Sequence, residues 1–398
     1  MNKHIISLSV SGIMALSPIV TSAATAGFTL KGDLAGMPDS VRVTLVDIED
    51  PNDKQVLIAE TFATGNSFQL SGELNSPRMC KLAFQRYSPK QDRYVSIFST
   101  RVMPEPGAMT FSTALTFDSL RNSRDIEKLV QLSGSKAHDE FCEYIADVGS
   151  AERKESDASY LSAVKYFASN DNPDTMAVYN ALKNEAIAEL VAAKLRFIAA
   201  HPSYNISGYL TQRELEKLFA YTTDEIDSMV AQVAVCPDTV RTATVGRRSN
   251  HAKRYALRRQ CPDFEVTHTD GTTAQFSSLI NPGKYTFIDF WASWCGPCRS
   301  AIPHVRELYK KYAGKLDVMS ISVDEAEAAW RKAMDKEQME WTQLRLDGDN
   351  QRAEGMKAFF LTSIPRLIIL NDKGEVICST NLPNEASACL ETHLGKLN

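Results

Sequence analysis

The string Cys295-Gly296-Pro297-Cys298 constrains this 398-residue chain more than any other feature. It lies where an apolar run of strand type, residues 285–291, gives way to a helix-like stretch at 299–312. Two intervening residues put the second cysteine in the first helical turn. A helix N-terminus offers unpaired N–H groups and the positive end of a dipole. These favour a thiolate and lower a thiol pKa from ~8.5 toward ~7 or below. Pro297 suits that turn, where its missing N–H would be unpaired anyway. Thiol–disulfide exchange needs an exposed thiolate and a second thiol close by to resolve the mixed disulfide. The spacing therefore predicts a redox-active disulfide, Cys295–Cys298, with Cys295 as the attacking sulfur.

Other uses of a C-x-x-C pair fit less well. A structural zinc site needs a second ligand pair. The sequence has no second C-x-x-C, and its seven histidines offer no matching pair. Covalent haem attachment needs His after the second cysteine, where Arg299 stands. No metal and no cofactor are expected. Asp289, six residues before Cys295, interrupts an otherwise apolar strand. A carboxylate there would be desolvated and its pKa raised, which makes it a candidate to shuttle protons to and from Cys298.

Net charge and composition narrow the partners. The chain carries a net charge of −5, with 43% hydrophobic and 23% charged residues, which suits a soluble globular protein and disfavours a nucleic-acid binder. Lys3, the moderately apolar stretch 5–20 and the small residues Ser22-Ala23-Ala24-Thr25-Ala26 read in the order of a cleavable export signal. The stretch is short of the ~20 apolar residues that a spanning helix needs. Eight cysteines are scattered along the chain, unlike a dense disulfide scaffold, and the pairing of the six outside the C-x-x-C is left open.

Four segments follow: a signal peptide, 1–26; a β-rich accessory domain, 27–117; a helical region, 118–259; and an α/β domain, 260–398. Residues 27–117 alternate apolar and polar positions between turn residues such as Gly65-Asn66, as in a β-sandwich or small barrel. Helical spacing appears at 175–200, where His201-Pro202-Ser203 stops it, and again near 211–220 and 224–235. Arg247, Arg248, Lys253, Arg254, Arg258 and Arg259 form a basic stretch that reads best as a solvated linker-helix face. From Cys261 on, strands and helices alternate and end in a hairpin around Asn371-Asp372-Lys373-Gly374 and a last helix near 385–394. This is the pattern of a mixed central sheet flanked by helices.

Five motifs make this last third resemble the thioredoxin superfamily, in particular the exported TlpA/ResA-type thiol–disulfide oxidoreductases. They are Cys261-Pro262-Asp263-Phe264, Trp294-Cys295-Gly296-Pro297-Cys298, Pro303 inside the following helix, Ser363-Ile364-Pro365, and a long insertion between Val323 and Leu367. The β and helical regions resemble, more weakly, the accessory region of similar proteins from Bacteroides-like bacteria. The resemblance implies a thioredoxin-like fold and strengthens the proton-shuttle role of Asp289. It also implies that Pro365 is a cis-proline facing the dithiol, that Ile364 pairs with an extended substrate segment, and that Trp294 rims the substrate groove while Trp291 packs inside. One departure stands out: where thioredoxins often carry a buried Lys near the Asp, this sequence offers Ser320.

The function expected is that of a periplasmic thiol–disulfide oxidoreductase that reduces disulfides of protein substrates. It would be recharged by a membrane thiol electron donor. The rivals are a disulfide oxidase or isomerase using the same residues, and a ligand-binding protein with a vestigial redox domain.

Overall fold

The computed structural model describes residues 26–49, 55–168 and 173–395. The export-signal reading lies outside them, apart from Ala26.

The first unit is a β-sandwich. Its strands are β1 (Ala26–Asp33), β2 (Arg42–Asp47), β3 (Val56–Phe62), β4 (Ser67–Leu74), β5 (Cys80–Ser88), β6 (Arg93–Val102), β7 (Gly107–Thr113) and β8 (Val130–Ser133), with the short helix α1 (Phe117–Arg121) between the last two. They form two four-stranded sheets, β4-β1-β7-β8 and β3-β2-β5-β6. Alternate residues such as Leu30, Phe68, Leu70, Phe84 and Phe111 point into the shared core, so the period-two pattern is a two-sheet packing. The unit runs on to Ser133 and does not end near 117. β8 adds to β7, with Thr113 opposite Val130, and buries Val130 and Leu132 in the sandwich core.

The second unit is helical: α2 (Lys136–Ala168), α3 (Pro173–Ala200), α4 (Asn205–Glu214), α5 (Thr223–Val233) and α6 (Thr239–Arg254). α3 ends before His201-Pro202, as the sequence suggests. α2, at 33 residues, is about 50 Å long at 1.5 Å per residue and pairs with α3. Thr222 and Glu225 form a capping box that starts α5. The helix expected over 211–220 lies earlier, at 205–214. The chain turns after Glu214, and Phe219 takes a left-handed backbone (φ 56°) that no helix continues through. The basic stretch is largely solvated, with Arg247, Arg254, Arg258 and Arg259 exposed, while Arg248 pairs with Glu216 and Lys253 with Asp227; beyond α6 the backbone of Arg258 and Arg259 bonds to Val376 of the last unit.

One buried ion pair joins the first two units. Arg241 of α6 reaches Glu49, just past β2, through both guanidinium arms, with Nη2 to Oε1 at 2.8 Å, and Nη2 also donates to the Pro77 carbonyl at 2.9 Å. Gly208 leaves room for it, since a Cβ there would sit 2.6 Å from Arg241 Cγ. Burial pushes the Glu49 carboxyl up, but Arg241, with Arg78 beside it, outweighs this and holds it below its usual range.

The third unit holds β9 (Glu265–His268), β10 (Thr273–Gln275), β11 (Tyr285–Trp291), α7 (Gly296–Lys311), β12 (Leu316–Ser322), α8 (Glu327–Glu337), β13 (Thr342–Arg345), α9 (Gly348–Ala358), β14 (Arg366–Leu370), β15 (Val376–Thr380) and α10 (Pro383–Leu394). They build one mixed seven-stranded sheet in the order β10-β9-β13-β12-β11-β14-β15. β11, β12 and β13 run parallel; β14 is antiparallel to β11 and β15 to β14. The long insertion is α8, β13 and α9, which adds a strand between β12 and β9. Both faces of the central strand β11 are covered, so it reads as a near-continuous apolar run. Phe287 and Trp291 belong to the core under α7, while Ile288 and Phe290 face the opposite core with Phe264, Phe276 and Phe359.

Candidate active site

β11 delivers the chain to the head of α7. Cys295 is the N-cap of that helix, with extended backbone, and Pro297 occupies its first turn. The Cys298 N–H donates to Cys295 Sγ at 3.2 Å, so the sulfur sits where the orphan amide donors of the helix point. The two sulfurs are bonded to each other, with Cα atoms 5.3 Å apart. Cys295 is 5% exposed and Cys298 1%, an order that leaves Cys295 the more reachable sulfur. Trp294 stands beside them at 70% exposure, while Trp291 is fully buried. Pro303 lies within α7.

Asp289 sits two residues back from Trp291 on the face of β11 that α7 covers. It is opposite Ser320 in the parallel register of β12. The Ser320 hydroxyl donates to Asp289 Oδ2 at 3.0 Å and accepts from Trp341 Nε1 at 2.8 Å. Asp289 Oδ1 is buried without a hydrogen-bond partner among the described residues. Burial pushes the carboxyl up to about 7, against the downward pull of the Ser320 hydroxyl.

The Ile364–Pro365 peptide is cis. It leads straight into β14, whose first residue, Arg366, pairs with Phe290 near the end of β11. That register brings the proline to the end of the sheet where the dithiol lies. Ile364 packs against the core cluster that contains both cysteines.

One residue was not evident from sequence. Asp324, just past β12, accepts the Ser293 N–H at 2.8 Å and the Ser293 hydroxyl at 2.6 Å, and also the Ser322 hydroxyl at 2.7 Å. It ties down the loop that carries Trp294 and Cys295. Its place at a strand end, after Ser322-Val323, was the available signal, but its partner is 31 residues away. His304, which follows Pro303 on α7, is half-buried: its Nε2 lies 2.8 Å from the Ser387 hydroxyl and 3.1 Å from the Pro383 carbonyl, linking α7 to α10.

A dithiol at the head of a helix, set at the end of a mixed sheet beside a cis-proline, defines a thioredoxin-like redox domain. A thioredoxin-like family model matches residues 283–376. Among curated proteins, a thiol-disulfide oxidoreductase ResA of Bacillus cereus is 33% identical over 78 residues, 19% of this chain and 44% of that protein. ResA of Bacillus thuringiensis subsp. konkukian is 25% identical over 126 residues, 31% of this chain and 69% of that protein. The chain thus spans less than half the length of the first of these relatives. Among solved structures, a thiol-disulfide oxidoreductase from Bacteroides fragilis is 25% identical, covering 34% of this chain and 99% of that one, with a TM-score of 0.31. The C-terminal domain is thus thioredoxin-like and is similar in sequence to ResA-type thiol-disulfide oxidoreductases.

Proposed function

We propose that the protein is an exported thiol–disulfide oxidoreductase that reduces disulfides of protein substrates in the periplasm and receives its electrons from a membrane thiol donor. The observation that carries this reading is the position of Cys295 Sγ. It caps α7, accepts the Cys298 N–H, and lies within bonding distance of Cys298.

In the reduced form, the amide donors of α7 favour a thiolate on Cys295. That thiolate attacks one sulfur of a substrate disulfide. An S–S bond forms to Cys295 and the other substrate sulfur leaves as a thiolate. Cys298 then loses its proton to Asp289 and attacks Cys295 Sγ. This frees the second substrate thiol and leaves the Cys295–Cys298 disulfide. Two electrons and two protons have then passed to the substrate, whose leaving sulfurs take up the protons. Holding Cys298 one turn away makes its attack intramolecular, which speeds release. The exposed Trp294 ring and the backbone at Ile364 supply a surface for an extended substrate segment to pair as an added strand. The Gly-Pro pair between the cysteines supports the reducing direction, since thioredoxin sits near about −270 mV.

Reduction of insulin by the mature chain with a dithiol reductant tests this. Turnover that disappears in Cys295→Ser supports it. Recovery of activity in a scrambled-disulfide substrate, without insulin reduction, would favour an isomerase instead. Failure of both would leave a binding protein whose dithiol is idle.

A further inference from the structure

Two cysteines that the dithiol chemistry does not use meet at the far edge of the same domain. Cys378 is on β15, the edge strand, opposite Ile369 of β14. Cys389 is on α10, which packs over β14 and β15. Both side chains are half-buried against the core beneath α7 and α10, and Cys389 Sγ lies 4.0 Å from the carbonyl of Ile377, the residue before Cys378. One turn further along α10, His393 Nδ1 lies 2.9 Å from the Cys389 carbonyl, to which it donates, and 3.9 Å from Cys389 Sγ. A thiol and an imidazole therefore stand together beside the strand that carries a second thiol, and neither sulfur is in a disulfide.

The environment separates the two sulfurs. The neighbouring Cys378 thiol and His393 hold the Cys389 thiol below its usual range, against the opposing effect of burial. The neighbouring Cys389 thiol, with burial, pushes Cys378 well up. A low-pKa sulfur next to a high-pKa one divides the roles of attacker and resolver, as thiol–disulfide exchange requires. The remaining free cysteines lack such a pair. Burial pushes up Cys80, Cys142, Cys236 and Cys261, the last to about 12.

We propose that Cys378 and Cys389 form a second redox couple, distinct from Cys295–Cys298, in which Cys389 attacks small-molecule disulfides and Cys378 resolves the adduct. Cys389 attacks one sulfur of a low-molecular-weight disulfide and forms a mixed disulfide, and the other half leaves as a thiolate. Cys378 gives up its proton and attacks Cys389 Sγ, and the second half leaves as a thiol. The protein is oxidised by two electrons, the small disulfide is reduced to two thiols, and α10 becomes covalently tied to the edge strand.

The test uses the full-length Cys295→Ser/Cys298→Ser chain, so that the first couple contributes nothing. It is incubated with oxidised glutathione, its remaining thiols are alkylated, and its peptides are mapped by mass spectrometry. The expected product is a Cys378–Cys389 cross-link. Adding Cys378→Ser should stop the reaction at one glutathione on Cys389. In the reduced unmutated chain, brief alkylation near pH 7 should label Cys389 ahead of Cys378, and His393→Ala should slow that labelling several-fold. If both cysteines stay alkylatable after oxidation, if glutathione settles on other cysteines instead, or if Cys378 is labelled first, the proposal is overturned.

Discussion

Ser320 donates its hydroxyl to Asp289 Oδ2 at 3.0 Å, and it is the only hydrogen-bond donor that the described residues give this buried carboxylate. The hydroxyl is held in that direction because its own oxygen accepts the Trp341 indole N–H at 2.8 Å. The Trp341–Ser320–Asp289 chain thus partly offsets the cost of charging a carboxylate buried against α7. The result is a group that can gain or lose a proton near neutral pH, as a proton carrier for Cys298 requires.

Replacing Asp289 by Asn removes that titratable group. Insulin reduction by Asp289→Asn should fall by about 10²-fold near pH 7, the usual scale for loss of a general base, and its pH profile should lose the limb near 7. Stability should move the other way. The folded carboxyl titrates near 7 and the unfolded one near about 3.9. Well below the unfolded pKa both are protonated. As pH rises, the unfolded chain ionises first, so wild-type stability falls until the folded group ionises too. At about 1.36 kcal/mol per unit, the deficit above pH 7 approaches roughly 4 kcal/mol. Denaturant unfolding should find Asp289→Asn the more stable chain at pH 8 by a few kcal/mol, with the gap closing at pH 4.

Removing the Ser320 hydroxyl should leave Asp289 in place but harder to ionise. The bond favours the charged form, so Ser320→Ala should shift the neutral limb of the pH–rate profile upward by roughly one unit, on the scale of one hydrogen bond to a charged group. Trp341→Phe should give a smaller shift in the same direction. An unmoved limb would separate Ser320 from the proton path.

The Glu49–Arg241 pair has the opposite pH dependence. The folded Glu49 pKa lies below its usual value, so its stabilisation is present above the unfolded pKa and is lost as pH falls through the folded one. Arg241→Ala leaves Glu49 buried with its main partner gone and should destabilise the chain by about 3–5 kcal/mol near pH 7. Arg241→Lys should recover only part of this, because an ammonium cannot serve both carboxylate oxygens and the Pro77 carbonyl in a planar fork. Unfolding curves of the three chains at pH 7 check this.

Much of the candidate site was legible because its residues are neighbours in sequence. The strand, the dithiol and the helix that caps it lie within 285–311, and Asp289 stood out as the lone carboxylate in an apolar strand. Contacts made only by packing were not legible. Asp324 reaches Ser293 across a whole α7–β12 unit, and Cys378 meets Cys389 only because α10 folds back over the edge strand. Glu49 and Arg241, 192 residues apart, gave no local signal of their pairing. The β-rich unit looked complete near 117 because β8 is only four residues long and falls among helix-forming sequence; its place is set by the edge of β7. The long helix α2 was missed because polar and apolar residues are weakly segregated around it, and much of its support comes from pairing with α3.

The central claim is that Cys295 attacks a protein disulfide and Cys298 resolves the product. Its most direct measurement mixes reduced Cys298→Ser with insulin, quenches with acid, and maps the covalent product by non-reducing electrophoresis and mass spectrometry. A stable mixed disulfide between insulin and Cys295 is expected, with none formed by Cys295→Ser. A trapped complex in Cys295→Ser, a linkage through Cys298 in the wild-type chain, or no complex in Cys298→Ser would contradict it.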